Sequence, residues 1–187
     1  MLIMSSSVLP YFPLKRGRVH EVYGPGSFGF FAALMGQTSG TTLWIRENYR
    51  LECINPQGLS EFTNPSQLLI ANVRHQTDGL ASAEEALREK AVTLVMVDIS
   101  KPLSLTAGRR LQLAAKAGNS TGLCVIPEGM GSHAAETRWY CHPVFQSQDS
   151  TQQRWSLIKN KSGTLGSWHV RWNHASRRID MVSPVSQ

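Results

Sequence analysis

Residues 24–31 have the glycine spacing of a phosphate-binding loop, G-x-x-x-x-G-K-[ST], without the two side chains that complete it. In a working loop the backbone amides surround the phosphates, the lysine neutralises their charge and the hydroxyl binds Mg²⁺. Phe30 and Phe31 stand at the lysine and hydroxyl positions and can do neither task. We therefore predict a degenerate nucleotide loop in a protein that is not an enzyme and uses no cofactor. The loop residues are Gly24, Pro25, Gly26, Ser27, Phe28, Gly29, Phe30 and Phe31.

A single carboxylate, Asp98, stands where a nucleotide hydrolase would place its metal-organising aspartate. It ends the apolar run at 92–98, which is typical of a buried strand in a parallel sheet. Without the lysine and the hydroxyl, we expect Asp98 to be a structural residue that either caps the next turn or lies beside a cation. The histidines and cysteines show no spacing typical of metal ligands, so no metal site is predicted.

The basic charge of the chain is concentrated in its last fifth. The chain carries a net charge of +6, yet residues 1–149 hold 13 Lys and Arg against 12 Asp and Glu. Residues 150–187 hold six basic residues against Asp180 alone. Such a local excess indicates either contact with nucleic acid or a solvated basic surface. The candidate DNA-binding residues are Arg154, Lys159, Lys161, Arg171, Arg177 and Arg178.

The first 16 residues are predicted to be an N-terminal tail, because prolines interrupt their apolar stretch and prevent a helix. This tail either lies extended against its own domain or docks on a partner. The candidate partner-binding residues in it are Leu9, Tyr11, Phe12 and Leu14. Its positive charges follow its apolar residues, the reverse of a secretory signal, and no apolar run approaches the roughly 18 residues of a membrane helix. We therefore expect a cytoplasmic protein with no membrane partner.

The pattern of elements predicts one α/β domain at 17–187. Strands at 18–23, 41–45, 66–71, 92–98, 122–127 and 138–144 alternate with helices at 28–37, 82–90 and 105–117. Ser82 is the expected N-cap of the second helix, with Glu85 completing a capping box. Alternating segments at 154–161, 167–172 and 178–182 indicate an antiparallel meander. We therefore predict a mostly parallel α/β core at 17–147 that is extended by a C-terminal β-meander at 148–187.

Two parts of the core resemble the RecA recombinase. The sequence VHEVYGPGSFGFFAALMGQ at 19–37 resembles its opening strand and phosphate loop, and QTDG at 76–79 with Val97 and Asp98 resembles its next helix and Walker B strand. The resemblance covers about residues 16–143 and implies a RecA-like P-loop NTPase core. It also implies that Phe30 and Phe31 fill the space of the nucleotide. Glu47 lies one position away from the recombinase's catalytic glutamate and is not assigned that role.

The chain is more closely similar to the ImuA family of SOS-induced mutagenesis proteins. The similarity lies in LTAGRRLQLAA at 105–115 and in the tryptophan-rich segment 154–168, and it covers about residues 17–184. It implies a nucleoid-associated accessory protein of DNA repair and translesion synthesis. The implied partners are ImuB, which is an inactive Y-family polymerase relative, an error-prone C-family polymerase, RecA and DNA.

Two alternatives remain beside the ImuA resemblance. Residues 105–133 also resemble SulA, a cell-division inhibitor that binds FtsZ, although SulA lacks a tryptophan-rich meander. The other alternative is a weak ATPase in which a displaced lysine replaces the missing one.

Overall fold

A single mixed β-sheet with helices on both faces forms the body of the protein. The structure, a computed structural model, describes residues 9–145 and 151–184. The strands are β1 (Arg18–Tyr23), β2 (Thr41–Glu47), β3 (Leu68–Val73), β4 (Val92–Asp98), β5 (Thr121–Val125), β6 (Thr137–Pro143), β7 (Gln153–Asn160), β8 (Gly166–Asn173) and β9 (Arg178–Pro184). The α-helices are α1 (Ser27–Gly36), α2 (Pro56–Ser60), α3 (Gln76–Arg88) and α4 (Leu105–Gly118), and a short 3₁₀ turn spans Pro65–Gln67.

The strands follow the order β3-β2-β4-β5-β1-β6-β7-β8-β9 across the sheet. The pairs from β3 to β6 are parallel, whereas β6 to β9 pair antiparallel. The predicted α/β fold with a mostly parallel sheet and a C-terminal antiparallel meander is therefore confirmed. Strand β5 lies between β1 and β4. The glycine loop, which follows β1, and Asp98, which ends β4, are therefore separated by one strand.

Each face of the sheet has its own hydrophobic core. On one face, α1, α2 and the segment 9–14 pack on the sheet, and the core between them contains aromatic residues such as Phe30, Trp139 and Trp155. On the other face α3 and α4 cover aliphatic residues such as Val95 and Leu111. The central strands are buried on both faces, as their continuous apolar sequences predict.

Helix α3 begins at Gln76, six residues before the predicted start, so the assignment of Ser82 as its N-cap is wrong. The Gln76 side chain fixes this start, because its Oε1 accepts hydrogen bonds from the backbone N–H groups of Ser100 and Lys101 at 2.8 Å. Asp78 lies in the first turn, where a negative charge favours the helix dipole. These contacts join α3 to the loop after β4 and override the local capping-box pattern.

Residues 9–16 of the predicted tail pack against their own domain, which is the first of the two alternatives, and residues 1–8 of the tail lie outside the described residues. Leu9, Phe12 and Leu14 are at most 5% exposed. The Phe12 ring lies 5.3 Å from that of Phe30 and 5.0 Å from that of Trp155. Since partner binding requires accessible side chains, we correct the partner contact predicted for Leu9, Phe12 and Leu14. Of the four candidate partner-binding residues, only Tyr11 is exposed.

His20 anchors the end of this segment and gives the stability a pH dependence. Its Nε2 donates to the Lys15 carbonyl at 2.9 Å, and its Nδ1 lies 2.7 Å from the Thr137 hydroxyl. Burial lowers the pKa of His20 to about 4, from about 6.5 in an unfolded chain. The unfolded state therefore binds the proton first, and this contribution to stability is lost as the pH falls from 6.5 towards 4.

Because of the low pKa of His20, we expect the free energy of unfolding to decrease by about 2 kcal/mol when the pH falls from about 7 to about 5. Urea unfolding at both pH values measures this change. The variant His20→Gln keeps a donor for Lys15 but cannot be protonated, so the difference between parent and variant isolates the histidine from the carboxylates. If the difference in the free energy of unfolding between parent and variant is the same at both pH values, His20 is not buried in its neutral form.

Candidate functional site

The glycine loop is shorter than a phosphate-binding loop. Strand β1 ends at Tyr23 and α1 already begins at Ser27, so only Gly24, Pro25 and Gly26 lie between them. The N–H and the hydroxyl of Ser27 both donate to the Gly24 carbonyl, at 3.1 and 2.7 Å. Gly24 has a φ of +98°, a conformation that favours glycine. The second half of the glycine motif is thus helical, and the connection is a tight turn.

Strands β6 and β7 occupy the space beside this turn. The Gly26 N–H donates to the Cys141 carbonyl at 2.8 Å, and a Cβ on Gly26 would lie only 2.9 Å from the Cys141 carbonyl carbon. The Gln153 side-chain amide lies directly against Gly29. Its Oε1 accepts from the Trp155 indole N–H at 2.8 Å, which fixes the amide in place. The Gly26 backbone amide, which would face a phosphate in a working loop, is therefore hydrogen-bonded to the Cys141 carbonyl.

Phe30 and Phe31 are core residues and are fully buried. The Phe30 ring lies 4.7 Å from that of Trp155 and 5.5 Å from that of Trp139. Phe28, in contrast, is 41% exposed and meets the Trp44 ring edge-on. The two phenylalanines hold α1 on the sheet, while Gln153 and Cys141 approach the glycines directly.

Asp98 is buried at the end of β4, beside polar groups of other segments. Burial raises its pKa, while the Trp44 indole and the guanidinium groups of Arg50 and Arg46 act in the opposite direction. Within the described residues, Asp98 Oδ1, Trp44 Nε1 and Arg50 Nε have no hydrogen-bond partner. The Asp98 oxygen is an acceptor and the Trp44 and Arg50 nitrogens are donors, so these atoms indicate a local polar cluster. Over 9–145 and 151–184, no group of three or more His, Cys, Asp and Glu side chains could hold a metal ion.

The structure does not bring the six candidate DNA-binding residues together. Lys159 Nζ donates to the carbonyls of Ser132 and His133 at 3.1 and 2.8 Å, and Lys161 Nζ donates to that of Ala134 at 2.7 Å. Burial lowers the pKa of Lys159. Both lysines hold the loop before β6, and the phosphate contacts predicted for them stay predictions.

The four arginines of that set divide between two places. Arg177 lies in the turn between β8 and β9 and Arg178 begins β9, beside a groove of about 870 Å³ whose walls include Thr38 and Asn64. Arg154 lies in β7 and is half-buried, whereas Arg171 lies in β8 and is exposed. The pair Arg177 and Arg178 and the pair Arg154 and Arg171 therefore lie in different parts of the meander.

The sequence reasoning missed a row of rings on the sheet. The Tyr23 ring lies 4.9 Å from that of Tyr140, which lies 5.3 Å from that of His142. Strand register places Arg154 opposite His142. The alternation of Trp139 and Cys141 with Tyr140 and His142 was the signal that could have identified this second face of β6.

The fold and the site define a class: an α/β protein whose glycine loop is closed by its own C-terminal strands. No protein-family model matches the chain, and neither does any curated protein. Along the part of the chain that the structure describes, no helix is long and apolar enough to cross a membrane.

Proposed function

We propose that the protein is a non-catalytic accessory protein of SOS-induced translesion DNA synthesis, of the ImuA type, which acts by binding. The observation that carries this proposal is the hydrogen bond from the Gly26 N–H to the Cys141 carbonyl at 2.8 Å. In a RecA-like core, this strand would lie in the space where a hydrolase holds phosphate. A domain that keeps the architecture of a nucleotide site and fills it with its own backbone has its function on its outer surfaces.

A RecA-like origin of the core accounts for the arrangement of the loop and Asp98. Parallel strands present their carboxyl ends at one edge of the sheet, which is where α/β proteins bind ligands. The glycine loop follows β1 and Asp98 ends β4, so both lie at this edge. The similarity of residues 19–37 to the recombinase supports the same origin.

The partners that we propose are ImuB, the error-prone C-family polymerase, RecA and DNA. Because Leu9, Phe12 and Leu14 are buried, these contacts use other surfaces. One candidate is the edge strand β3, where the side chains of Leu69 and Ile70 are 53% and 45% exposed. The positive charge of residues 150–187 provides the attraction for DNA.

Co-purification from DNA-damaged cells tests the proposed function. The tagged full chain should recover the ImuB-type polymerase relative after damage, and the untagged chain provides the background. A variant with Leu69→Lys and Ile70→Lys should recover less of it if β3 is the contact, because charges on an edge strand oppose pairing. Recovery of FtsZ instead, together with loss of FtsZ polymer mass in sedimentation, would replace the proposal by the SulA-type inhibitor.

A further inference from the structure

One face of the C-terminal half of the sheet carries no helix among the described residues. Helices α3 and α4 make their main sheet contacts with β1 to β5, and α1 covers the opposite face of the meander. The side chains of Trp139, Cys141 and Trp155 point into the core on that opposite side. Their strand neighbours Tyr140 and Arg154 therefore lie on the helix-free face, whose Arg138 and Lys159 end contacts the loop before β6.

The row of three rings lies along this face. Tyr23 at the end of β1, then Tyr140, then His142 are each within 5.3 Å of the next ring, and all three are half-buried. Because these three residues pack against one another on the sheet, their rotamers are restricted and the rings keep fixed positions. Aromatic side chains of this kind stack with unpaired bases, because every base has a flat π-face.

Positive charge borders the rings. Arg154 is the register partner of His142 and is also half-buried, with its guanidinium on the same side of β7 as the rings. Arg171 on the next strand, β8, lies two residues from His169, which is the register partner of Arg154. Aromatic rings and arginine side chains on a β-sheet surface are groups with which proteins bind single strands of nucleic acid.

We propose that the helix-free face of β6 and β7 binds single-stranded DNA, with Tyr23, Tyr140 and His142 stacking on bases and Arg154 contacting the backbone. This inference rests on the proposed function and specifies the form of DNA that the protein recognises. A duplex fits poorly, since the faces of its bases are already stacked on one another. Gaps and primer ends in damaged DNA provide such unpaired bases.

Fluorescence anisotropy of the full chain with labelled oligonucleotides of about 16 nucleotides tests this proposal. The probes are oligo-dT, an abasic strand of equal length and charge, and a duplex. Tyr140→Leu should weaken oligo-dT binding by about tenfold and leave abasic binding unchanged, because it removes stacking alone. Arg154→Ala should weaken both single strands equally and reduce the log–log salt slope by about 0.7. Arg74→Ala, an exposed arginine after the opposite edge strand, is the matched control and should change nothing.

Equal affinity for oligo-dT and the abasic strand, or tighter binding of the duplex, would overturn the proposal. Thermal unfolding verifies that each variant is folded, and His142→Ala at the outer end of the row replaces Tyr140→Leu if the latter does not fold. If co-purification succeeds and single-strand binding fails, only this inference is wrong. If co-purification fails as well, the proposed function falls with it.

Discussion

Replacing Phe30 by alanine is expected to lower the free energy of unfolding by about 3–5 kcal/mol. Its ring is fully buried between those of Phe12, Trp139 and Trp155, with centroids 4.7 to 5.5 Å away. Truncation therefore leaves a cavity among large rigid rings that cannot collapse into it. Phe30→Lys, which restores the lysine of a phosphate loop, should be at least as harmful because it buries a charge.

Phe28→Ala is the matched control, since it removes the same side chain from the same helix. Phe28 is 41% exposed and has one ring contact, with Trp44, so its loss should cost about 1 kcal/mol or less. Urea unfolding of both variants measures the difference. Similar losses for Phe28 and Phe30 would mean that the phenylalanine at the lysine position is not part of the core.

Replacing Arg138 by methionine is expected to cost about 3–5 kcal/mol, because it leaves the buried carboxylate of Glu21 without its cation. Glu21 is 1% exposed, and its Oε2 accepts from Arg138 Nε at 2.7 Å. Its Oε1 accepts from the Ser132 N–H at 2.6 Å. Arg138 Nη2 also donates to the Ser132 carbonyl at 3.0 Å. The pair thus fixes the loop to which Lys159 and Lys161 bind.

The double variant Glu21→Gln with Arg138→Met separates the charge from the loss of packing. It removes the carboxylate as well as the cation, so it should recover a large part of the stability lost by Arg138→Met alone. Thermal and urea unfolding of the single and double variants give the coupling energy. If the double variant is less stable than the parent protein by the sum of the losses of the two single variants, the two side chains act independently and the ion pair is not what holds the loop.

The sequence predicted those features that depend on short stretches of chain. The apolar run at 92–98 and the alternation in 154–172 identified the central strand β4 and the meander, because burial on two faces or on one leaves a local pattern. The glycine spacing at 24–29 likewise located the turn after β1. The helix at 76–88 was assigned only in part, since its start depends on the distant backbone of Ser100 and Lys101.

Features that depend on pairing between distant strands were not predictable. Gln153 approaches Gly29 only because β7 lies beside β6 and β6 beside β1. Lys159 and Lys161 resembled a phosphate-binding pair, but carbonyls more than 20 residues earlier in the chain accept hydrogen bonds from their ammonium groups. A local charge pattern therefore located the basic segment and could not show which of its cations already had partners within the fold.

The central claim, that the protein's own strands close the glycine loop, is tested most directly by thermal unfolding of the full chain with and without Mg²⁺-ATP. A ligand present at about 100 times its dissociation constant would stabilise the protein by about 2.7 kcal/mol. For a chain of 187 residues this corresponds to a rise in Tm of about 5–10 °C. We predict no change in Tm at millimolar Mg²⁺-ATP or Mg²⁺-ADP. A saturable rise in Tm that is lost on removal of Mg²⁺ would show that the loop still binds nucleotide and would contradict the account.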